Sequence, residues 1–226
     1  MNFKKNINYF TKTDLMKNLG IALMALGLLL LVFGWSYLSF VLMSVSIPTG
    51  LILFLVGTSR RTGEKELDAM LERATADVAP APEKAEKLAR RAVKKPAPIY
   101  AAGYELRDGL MLTKAKNGST RSSEYTRSYL MPLSDALYIT SRTVSLIEDA
   151  KEERELEIPY CEIETVALLR EEQTLTFQNE GFRTRDCRFS ITYRTGEQFS
   201  VPMQNDVLTE QFAEELQALI EKNAQN

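Results

Sequence analysis

The feature that most constrains this chain is a run of 42 consecutive uncharged residues between Lys17 and Arg60. A helix that crosses the hydrocarbon core of a bilayer needs about 20 apolar residues. One helix of this length would extend about 63 Å at a rise of about 1.5 Å per residue. The run therefore predicts a transmembrane hairpin over residues 19–57, with passes at 19–34 and 38–57 joined by the turn Trp35-Ser36-Tyr37.

A cleaved signal peptide is the competing interpretation of the first apolar run, because positive charge precedes an apolar centre. Three observations count against it. The run is long, a second apolar run follows within a few residues, and no convincing cleavage site separates the two. We therefore expect the hairpin to remain in the protein.

Lysine and arginine flank the predicted hairpin on both sides and are absent from its connecting turn. Basic flanks stay on the cytoplasmic side of a membrane. We therefore expect a multi-pass protein of the cell (plasma) membrane with both termini in the cytoplasm. The N-terminal cytoplasmic segment is expected to be residues 1–18. The flanking basic residues are Lys4, Lys5, Lys12 and Lys17 before the hairpin, and Arg60, Arg61 and Lys65 after it.

Small residues recur along both predicted passes. Gly20, Gly27 and Gly34 are spaced by seven residues, and Ser46 and Gly50 form a small-x-x-x-small pair. Small residues let helix backbones approach closely in lipid, where no hydrophobic force draws helices together. The spacing predicts that the two helices pack on each other, and packing between copies of the chain through the same faces stays open.

Residues 58–99 are predicted to form a helical, basic linker rich in Ala, Pro and Lys. Apolar residues at helical spacing predict a first helix near residues 67–74 and a second at residues 83–94, which Pro96-Ala97-Pro98 ends. The second stretch carries six basic residues that are candidates for contact with the membrane surface: Lys84, Lys87, Arg90, Arg91, Lys94 and Lys95. Anionic headgroups attract basic residues near the leaflet by about 1 kcal/mol each. The alternative, which we favour, is a solvated and semi-rigid spacer helix.

Residues 100–226 carry 14 Lys and Arg against 22 Asp and Glu, a net charge of −8. Their apolar residues alternate as they do in β-strands. Asp108-Gly109 is a hairpin signal and predicts that residues 104–107 pair with residues 110–114, before a polar loop at residues 117–123. We therefore expect a β domain over residues 100–226.

Alternation predicts seven short strands between residues 137 and 201. The predicted breaks fall at Ser141-Arg142, at a charged loop over residues 148–155, and at Glu171-Glu172-Gln173. Turns are also expected at Asn179-Glu180-Gly181 and Thr195-Gly196-Glu197, because Asn and Gly favour turns. A C-terminal helix follows, with Asn205 or Asp206 as its cap and an apolar face formed by Leu208, Phe212, Leu216 and Leu219.

Seven strands followed by one C-terminal helix resemble the pleckstrin-homology-like fold. The segments ALYITSRTVSLI, at residues 136–147, and LEIPYCEI, at residues 156–163, resemble the bacterial and GRAM-type members, and the resemblance covers residues 130–223. It implies an α+β membrane protein in which the hairpin and the helical linker precede a seven-stranded pleckstrin-homology-like β-barrel or sandwich capped by a C-terminal α-helix. It also implies a binding or scaffolding module without catalysis.

The chain departs from the lipid-binding members of that family. Those members hold phosphoinositides with several Lys and Arg on their first strands, whereas here that position offers only Arg142 and the next predicted loop, residues 148–155, is acidic. An anionic leaflet repels an acidic domain. The acidic loop also lacks the fixed ligand spacing of a calcium loop. We therefore expect no headgroup recognition by the domain and neither a metal nor another cofactor.

The composition excludes several kinds of catalytic site. A chain without histidine has no Ser-His-Asp triad, no Cys-His pair and no HExxH zinc site. Two cysteines, Cys161 and Cys187, cannot form a Cys₄ zinc site. An acidic domain without interleaved aromatic and basic residues is not expected to bind nucleic acid.

These patterns predict a non-enzymatic, membrane-anchored interaction or scaffold module. Its expected partners are the lipid bilayer, through the two transmembrane helices, and a protein of unknown identity; a homo-oligomer stays open. The alternative is an accessory subunit of a membrane transport or secretion complex. Catalytic and cofactor-binding residues are not expected.

Overall fold

The structure is a computed structural model that describes residues 2–11, 15–34, 36–59, 62–203 and 207–224. The chain divides into two compact units, Asn2–Leu67 and Asp68–Asn226. Its architecture is α+β, because apolar helices near the N-terminus precede a set of antiparallel sheets.

Two long apolar helices dominate the first unit: α2 (Leu15–Phe33) and α3 (Tyr37–Ser59). Both are long and apolar enough to cross a membrane. Only 11% and 6% of the residues in these two spans are buried within the structure, whereas the core helices of a soluble protein would be mostly buried. Helix α3 begins where Ser36 Oγ accepts a hydrogen bond from the backbone N–H of Ser39 at 3.3 Å, as in other N-caps.

The helices α2 and α3 pack on each other through glycine, as the spacing predicts. A Cβ atom on Gly20 would lie 2.6 Å from the carbonyl oxygen of Gly50, and one on Gly50 would lie 2.7 Å from the carbonyl oxygen of Gly20. These distances leave no room for a side chain on either helix at this contact. The large apolar residues instead point outward, and Leu28, Val32 and Ile52 are all exposed.

A short helix that the sequence did not reveal, α1 (Phe3–Thr11), precedes the hairpin. It contains the fully buried residues Asn6 and Phe10. Thr62 Oγ1 donates a hydrogen bond to Asn6 Oδ1 at 2.6 Å, which joins α1 to the chain that follows α3. The predicted positions Lys12, Trp35, Arg60 and Arg61 lie outside the described residues.

The second unit contains nine strands within the described residues, arranged in three antiparallel sheets. A four-stranded sheet has the order β1-β4-β5-β6 and a three-stranded sheet the order β7-β8-β9, while β2 pairs with β3 alone. The strands are β1 (Ile99–Tyr104), β2 (Leu112–Lys114), β3 (Thr120–Ser122), β4 (Glu124–Pro132), β5 (Ala136–Ser145), β6 (Lys151–Pro159), β7 (Ile163–Phe177), β8 (Glu180–Tyr193) and β9 (Gln198–Pro202). A 3₁₀ turn, Tyr160–Glu162, leads from β6 to β7.

Three helices complete the second unit: the end of α4 (Glu64–Thr75), α5 (Pro82–Arg91) and α6 (Val207–Ala224). Helix α6 covers a hydrophobic core that the two larger sheets share. Its Phe212 lies with its ring centroid 5.8 Å from that of Phe189 in β8, and its Leu216 and Ile220 are buried beside it. The predicted core position Leu208 is wrong, because this residue in the first turn of α6 is 70% exposed. The predicted caps Asn205 and Asp206 lie outside the described residues.

Several predicted strand boundaries are wrong. The stretch from residue 137 to 201 contains five longer strands instead of seven short ones, and no sheet within the described residues closes into a barrel. Strand β5 continues through Ser141-Arg142, β6 occupies residues 151–155 of the predicted charged loop, and β7 continues through Glu171-Glu172-Gln173. Charged residues lie inside these strands because each lies opposite a residue of the other charge on the neighbouring strand. Arg142 lies opposite Glu153, and Glu172 lies opposite Arg185.

The predicted hairpin at Asp108-Gly109 is also wrong. A turn does form there, with Gly109 at φ +88°, but the flanking segments pair elsewhere. Strand β1 pairs with β4, and the short strand β2 pairs with β3, which lies inside the predicted polar loop. The turns near Asn179 and Gly196 are confirmed: Asn179 and Gly196 both have positive φ, between β7 and β8 and between β8 and β9.

Candidate functional site

The basic helix α5 lies on the outer face of the four-stranded sheet. Leu88, its one buried residue, packs in a cluster with Leu133, Ala136 and Tyr138. The C-terminal end of α5 is also held, because Ser134 N–H donates to Arg91 O at 2.8 Å. The predicted linker helix is therefore packed against the sheet and is not surrounded by solvent.

Two of the six predicted surface-contact residues hold α5 to the sheet. Lys84 forms an ion pair with Glu155 of β6, which also accepts a hydrogen bond from the Tyr138 hydroxyl. Arg91 contacts Asp135 at 2.8 Å and Glu157 at 2.8 Å. The acidic residues of the predicted charged loop and of β6 thus meet the basic residues of the linker.

These contacts shift the pKa values of the carboxyl groups in the expected direction. The Lys84 ammonium, followed by the Tyr138 hydroxyl, holds the pKa of Glu155 below its usual value, and the Arg91 guanidinium does the same for the pKa of Asp135. Burial, and then the hydrogen bond to Glu155, raises the pKa of Tyr138. The carboxylates are therefore charged and Tyr138 is neutral at physiological pH.

The other four predicted residues are exposed. Arg90 forms an ion pair with Glu86 one helical turn earlier, at 2.7 Å, while Lys87, Lys94 and Lys95 lie on the solvent side. The structure thus divides the predicted basic cluster into a pair that fixes the helix and a group of four that faces outward.

A groove of about 610 Å³ runs between α6 and the outer edge of β7. Its strand side is formed by Val166, Ala167, Leu168 and Arg170, and its helix side by residues of one face of α6. Ala213 and Ala218 are the small residues of that face. The groove arises because α6 turns its large residues, such as Phe212 and Leu216, into the core and leaves small and polar ones beside the strand.

The outer edge of β7 carries backbone groups that no strand of the described residues pairs with, since β7 is hydrogen-bonded to β8 alone. The backbone N–H of Val166 points into the groove and donates a hydrogen bond to Gln217 Oε1 of α6 at 3.0 Å. Gln217 Nε2 donates in turn to Glu221 Oε1 at 2.9 Å. A side chain of α6 therefore occupies the position that the carbonyl of a neighbouring strand would take.

The rim of the groove is acidic. Glu210, Glu214 and Glu221 recur along the helix at the spacing of one face, and all three line the groove. Arg170 of β7 pairs with Glu210. Glu214 and Glu221 are exposed, so the groove presents a net negative charge.

Cys187 does not have the environment of a reactive thiol. Cys161 is exposed, and Cys187 is partly buried. Burial raises the pKa of the Cys187 thiol, whereas a nucleophilic cysteine needs a lowered pKa. Among the described residues, no group of three or more Asp, Glu or Cys is arranged to hold a metal ion.

Sequence reasoning identified the basic residues of α5, but it missed their partners on the sheet and it missed the groove. The groove depends on the register between α6 and β7, which no local pattern encodes. The one available signal was the polar stripe of α6 with a Gln among Glu residues, which is also typical of an ordinary solvent-facing helix side.

Comparisons of this chain with models of protein families, with curated proteins and with solved structures find no match.

Proposed function

We propose that this protein is a membrane-anchored interaction module. In this proposal α2 and α3 cross the cell membrane as a hairpin, both flanks lie in the cytoplasm, and the second unit binds a protein partner without catalysing a reaction. The observation that carries the proposal is the hairpin itself, in which glycines occupy the contact and large apolar side chains face outward. Exposed apolar helices of this length are stable in a bilayer and costly in water.

The arrangement of the second unit supports a pleckstrin-homology-like fold. The two larger sheets have four and three antiparallel strands, and α6 follows them in the chain and covers their shared core. The small sheet of β2 and β3 is then an insertion between the first two strands of the larger sheet. Such a fold is consistent with a binding module, because its sheet edges and helix grooves are available to partners.

Helix α5 adds a weaker contact to the proposal. Four outward-facing basic residues attract anionic headgroups: Lys87 and Arg90 of α5, and Lys94 and Lys95 of the segment that follows it. Lys84 and Arg91 keep the helix packed on the sheet. Glu83 and Glu86 on the same helix offset part of this charge. In this proposal α5 packs on the sheet and also contributes weakly to binding at the membrane surface.

Cross-linking in cells followed by purification in mild detergent tests the proposed function. We expect the chain to stay in the membrane fraction after an alkaline carbonate wash, and we expect its cross-links to partner proteins to fall on residues 68–224. Release of the chain by carbonate would contradict the anchor. Cross-links confined to α2 and α3 would instead favour the accessory-subunit alternative.

A further inference from the structure

A cavity of about 640 Å³ lies within the second unit, away from the groove beside α6. The end of helix α4, strands β1 and β4, strand β8 and the end of β9 all contribute to its walls. Sites for small molecules measure about 300–1,000 Å³, so the volume suits such a ligand. We call this space the tyrosine cavity, because Tyr100, Tyr104 and Tyr125 line it.

Strand β1 leaves an open slot between two tyrosines of this cavity. Tyr100, Ala102 and Tyr104 lie on the same face of the sheet, because side chains alternate along a strand. The two tyrosines are four residues apart, about 13 Å at about 3.3 Å per residue, and only the small Ala102 lies between them. The slot therefore has room for a planar ring that stacks on a tyrosine.

Arg127 supplies a positive charge beside the slot. It lies directly opposite Ala102 in the pairing of β1 with β4, and its guanidinium lies over the ring of Tyr100, 5.0 Å from the ring centroid. Within the part of the chain that the structure describes, Arg127 makes no ion pair. Asp68 on the α4 wall is instead paired with Arg121 at 2.8 Å. The Arg127 guanidinium is therefore available to an anionic group such as phosphate.

Asp186 of β8 supplies a buried carboxylate to the same cavity, and only 8% of this residue is exposed. Its ion-pair partner Arg188 lies 3.6 Å away, beyond the length of a hydrogen bond. Arg188 is bound more closely by Glu105, at 3.0 Å. Burial raises the pKa of the Asp186 carboxyl, because the carboxylate has little contact with water. N–H groups of a ligand would supply the hydrogen bonds that water does not.

These three features together select a guanine nucleotide. A carboxylate accepts hydrogen bonds without donating any, and its two oxygens match two adjacent N–H donors. Guanine carries such a pair on its Watson–Crick edge, whereas adenine carries one amino group beside a ring nitrogen that is an acceptor. Tyrosine rings stack on any base, and a guanidinium binds phosphate through charge-assisted hydrogen bonds.

We propose that the tyrosine cavity binds a guanine nucleotide, with the base over Ala102, its N–H donors on Asp186 and its phosphate at Arg127. This ligand is additional to the proposed function, which requires no small molecule. Glu72 of α4 also lines the cavity and repels phosphate, so Glu72→Gln should strengthen nucleotide binding about twofold.

Calorimetric titration of the full chain in lipid nanodiscs tests the proposal, with guanosine monophosphate (GMP) as the probe and empty nanodiscs as the blank. We expect GMP to bind about tenfold more tightly than adenosine monophosphate (AMP), because only guanine offers two donors to Asp186. Guanosine, which lacks the phosphate, should also bind about tenfold more weakly than GMP. Equal affinities for GMP and AMP, or no binding of GMP up to about 1 mM, would overturn the proposal.

Two variants with matched controls locate the ligand. Ala102→Leu fills the slot and should abolish GMP binding, whereas Thr176→Leu, at an exposed position of β7, should leave it unchanged. Arg127→Met should weaken GMP binding about tenfold without changing the affinity for guanosine. Its control is Arg154→Met, at an exposed position of β6, which should leave both affinities unchanged.

The melting temperature of each variant separates a lost site from a lost fold. If Ala102→Leu melts at the wild-type temperature and still binds GMP, the nucleotide lies elsewhere and the proposal is overturned. Arg127 is partly exposed and outside the core, so its variant gives an independent answer if Ala102→Leu does not fold. GMP binding that is the same in Arg127→Met and in the wild type would likewise overturn the proposal.

Discussion

Glu155 joins three elements of the second unit, because it lies in β6 and binds Lys84 of α5 and Tyr138 of β5. The side chains of Lys84 and Glu155 are 43% and 48% exposed, so solvent screens their attraction and such pairs contribute about 0–1 kcal/mol. Complete burial of a leucine such as Leu88 contributes about 1.5–3 kcal/mol. Leu88 therefore supplies most of the docking energy of α5, and the ion pairs fix its orientation.

Acidification should loosen α5. The folded-state pKa values of Glu155 and Asp135 lie below their ordinary values, 4.5 and 3.8. Their contribution to docking is therefore complete above those ordinary values and is lost as pH falls through the lowered ones. A spin label at Lys87→Cys, in a background without Cys161 and Cys187, should keep the same mobility from about pH 7 to pH 5 and become more mobile below about pH 4. A mobility that already rises between about pH 7 and pH 5 would contradict the assignment of this transition to Glu155 and Asp135.

Phe212→Asp should lower the free energy of unfolding of the second unit by about 3–5 kcal/mol, because it removes a buried ring and introduces a buried charge without a partner. Leu208→Asp is the matched control on the same helix. Leu208 is 70% exposed and Phe212 is 3% exposed, so the control should change stability by less than about 0.5 kcal/mol. Chemical denaturation of residues 68–226 measures the free energy of unfolding of both variants. Equal losses of stability in the two variants would show that α6 does not cover the core.

The α2–α3 hairpin depends on close backbone approach at Gly20 and Gly50. Gly50→Leu places a large side chain where even a Cβ would contact the backbone of Gly20, so the helices must separate. Spin labels at the exposed positions Leu26 and Ile52 should report a longer and broader distance distribution in nanodiscs. Leu51→Ile, at an exposed position, is the control and should leave the distribution unchanged. An unaltered distribution in Gly50→Leu would rule out the glycine contact.

The sequence predicted the helices better than the strands, for a physical reason. Helices α2 and α3 produce an uninterrupted apolar run, and α4 to α6 carry apolar residues at helical spacing. Strand boundaries were missed where charged residues lie within paired strands, as Glu153 does opposite Arg142. Such pairs are stabilised by a neighbouring strand that the local sequence does not contain.

The candidate sites also contain residues that the local sequence predicts and residues that it does not. The basic residues of α5 and of the segment that follows it could be predicted because all six lie within residues 84–95. Lys84 and Arg91 hold the helix, whereas the other four face solvent. This division depends on where Leu88 packs. The partners Glu155 and Asp135 are remote in the sequence, and Gln217 is 51 residues away from Val166 in the chain.

The second unit, residues 68–226, should bind anionic vesicles weakly and only at low salt. The outward basic residues of α5 and of the segment that follows it attract the surface by about 1 kcal/mol each, and the acidic strands oppose them. Flotation with phosphatidylserine-rich vesicles measures this binding. The variant in which Lys87, Lys94 and Lys95 are changed to Glu should lose it. The matched control changes Lys114, Lys151 and Arg194 to Glu, which alters the net charge equally but not α5. Equal losses in the two variants would leave α5 without a role at the membrane surface.

The central claim is that the hairpin crosses the membrane once in each direction and leaves the second unit in the cytoplasm. Native Cys161 is exposed and reports on that unit, while Ser36→Cys at the start of α3 reports on the connecting turn. Each thiol is examined alone, with Cys187→Ser as background. A membrane-impermeant maleimide should label position 36 in intact cells and Cys161 only after permeabilisation. Labelling of Cys161 in intact cells would contradict the account.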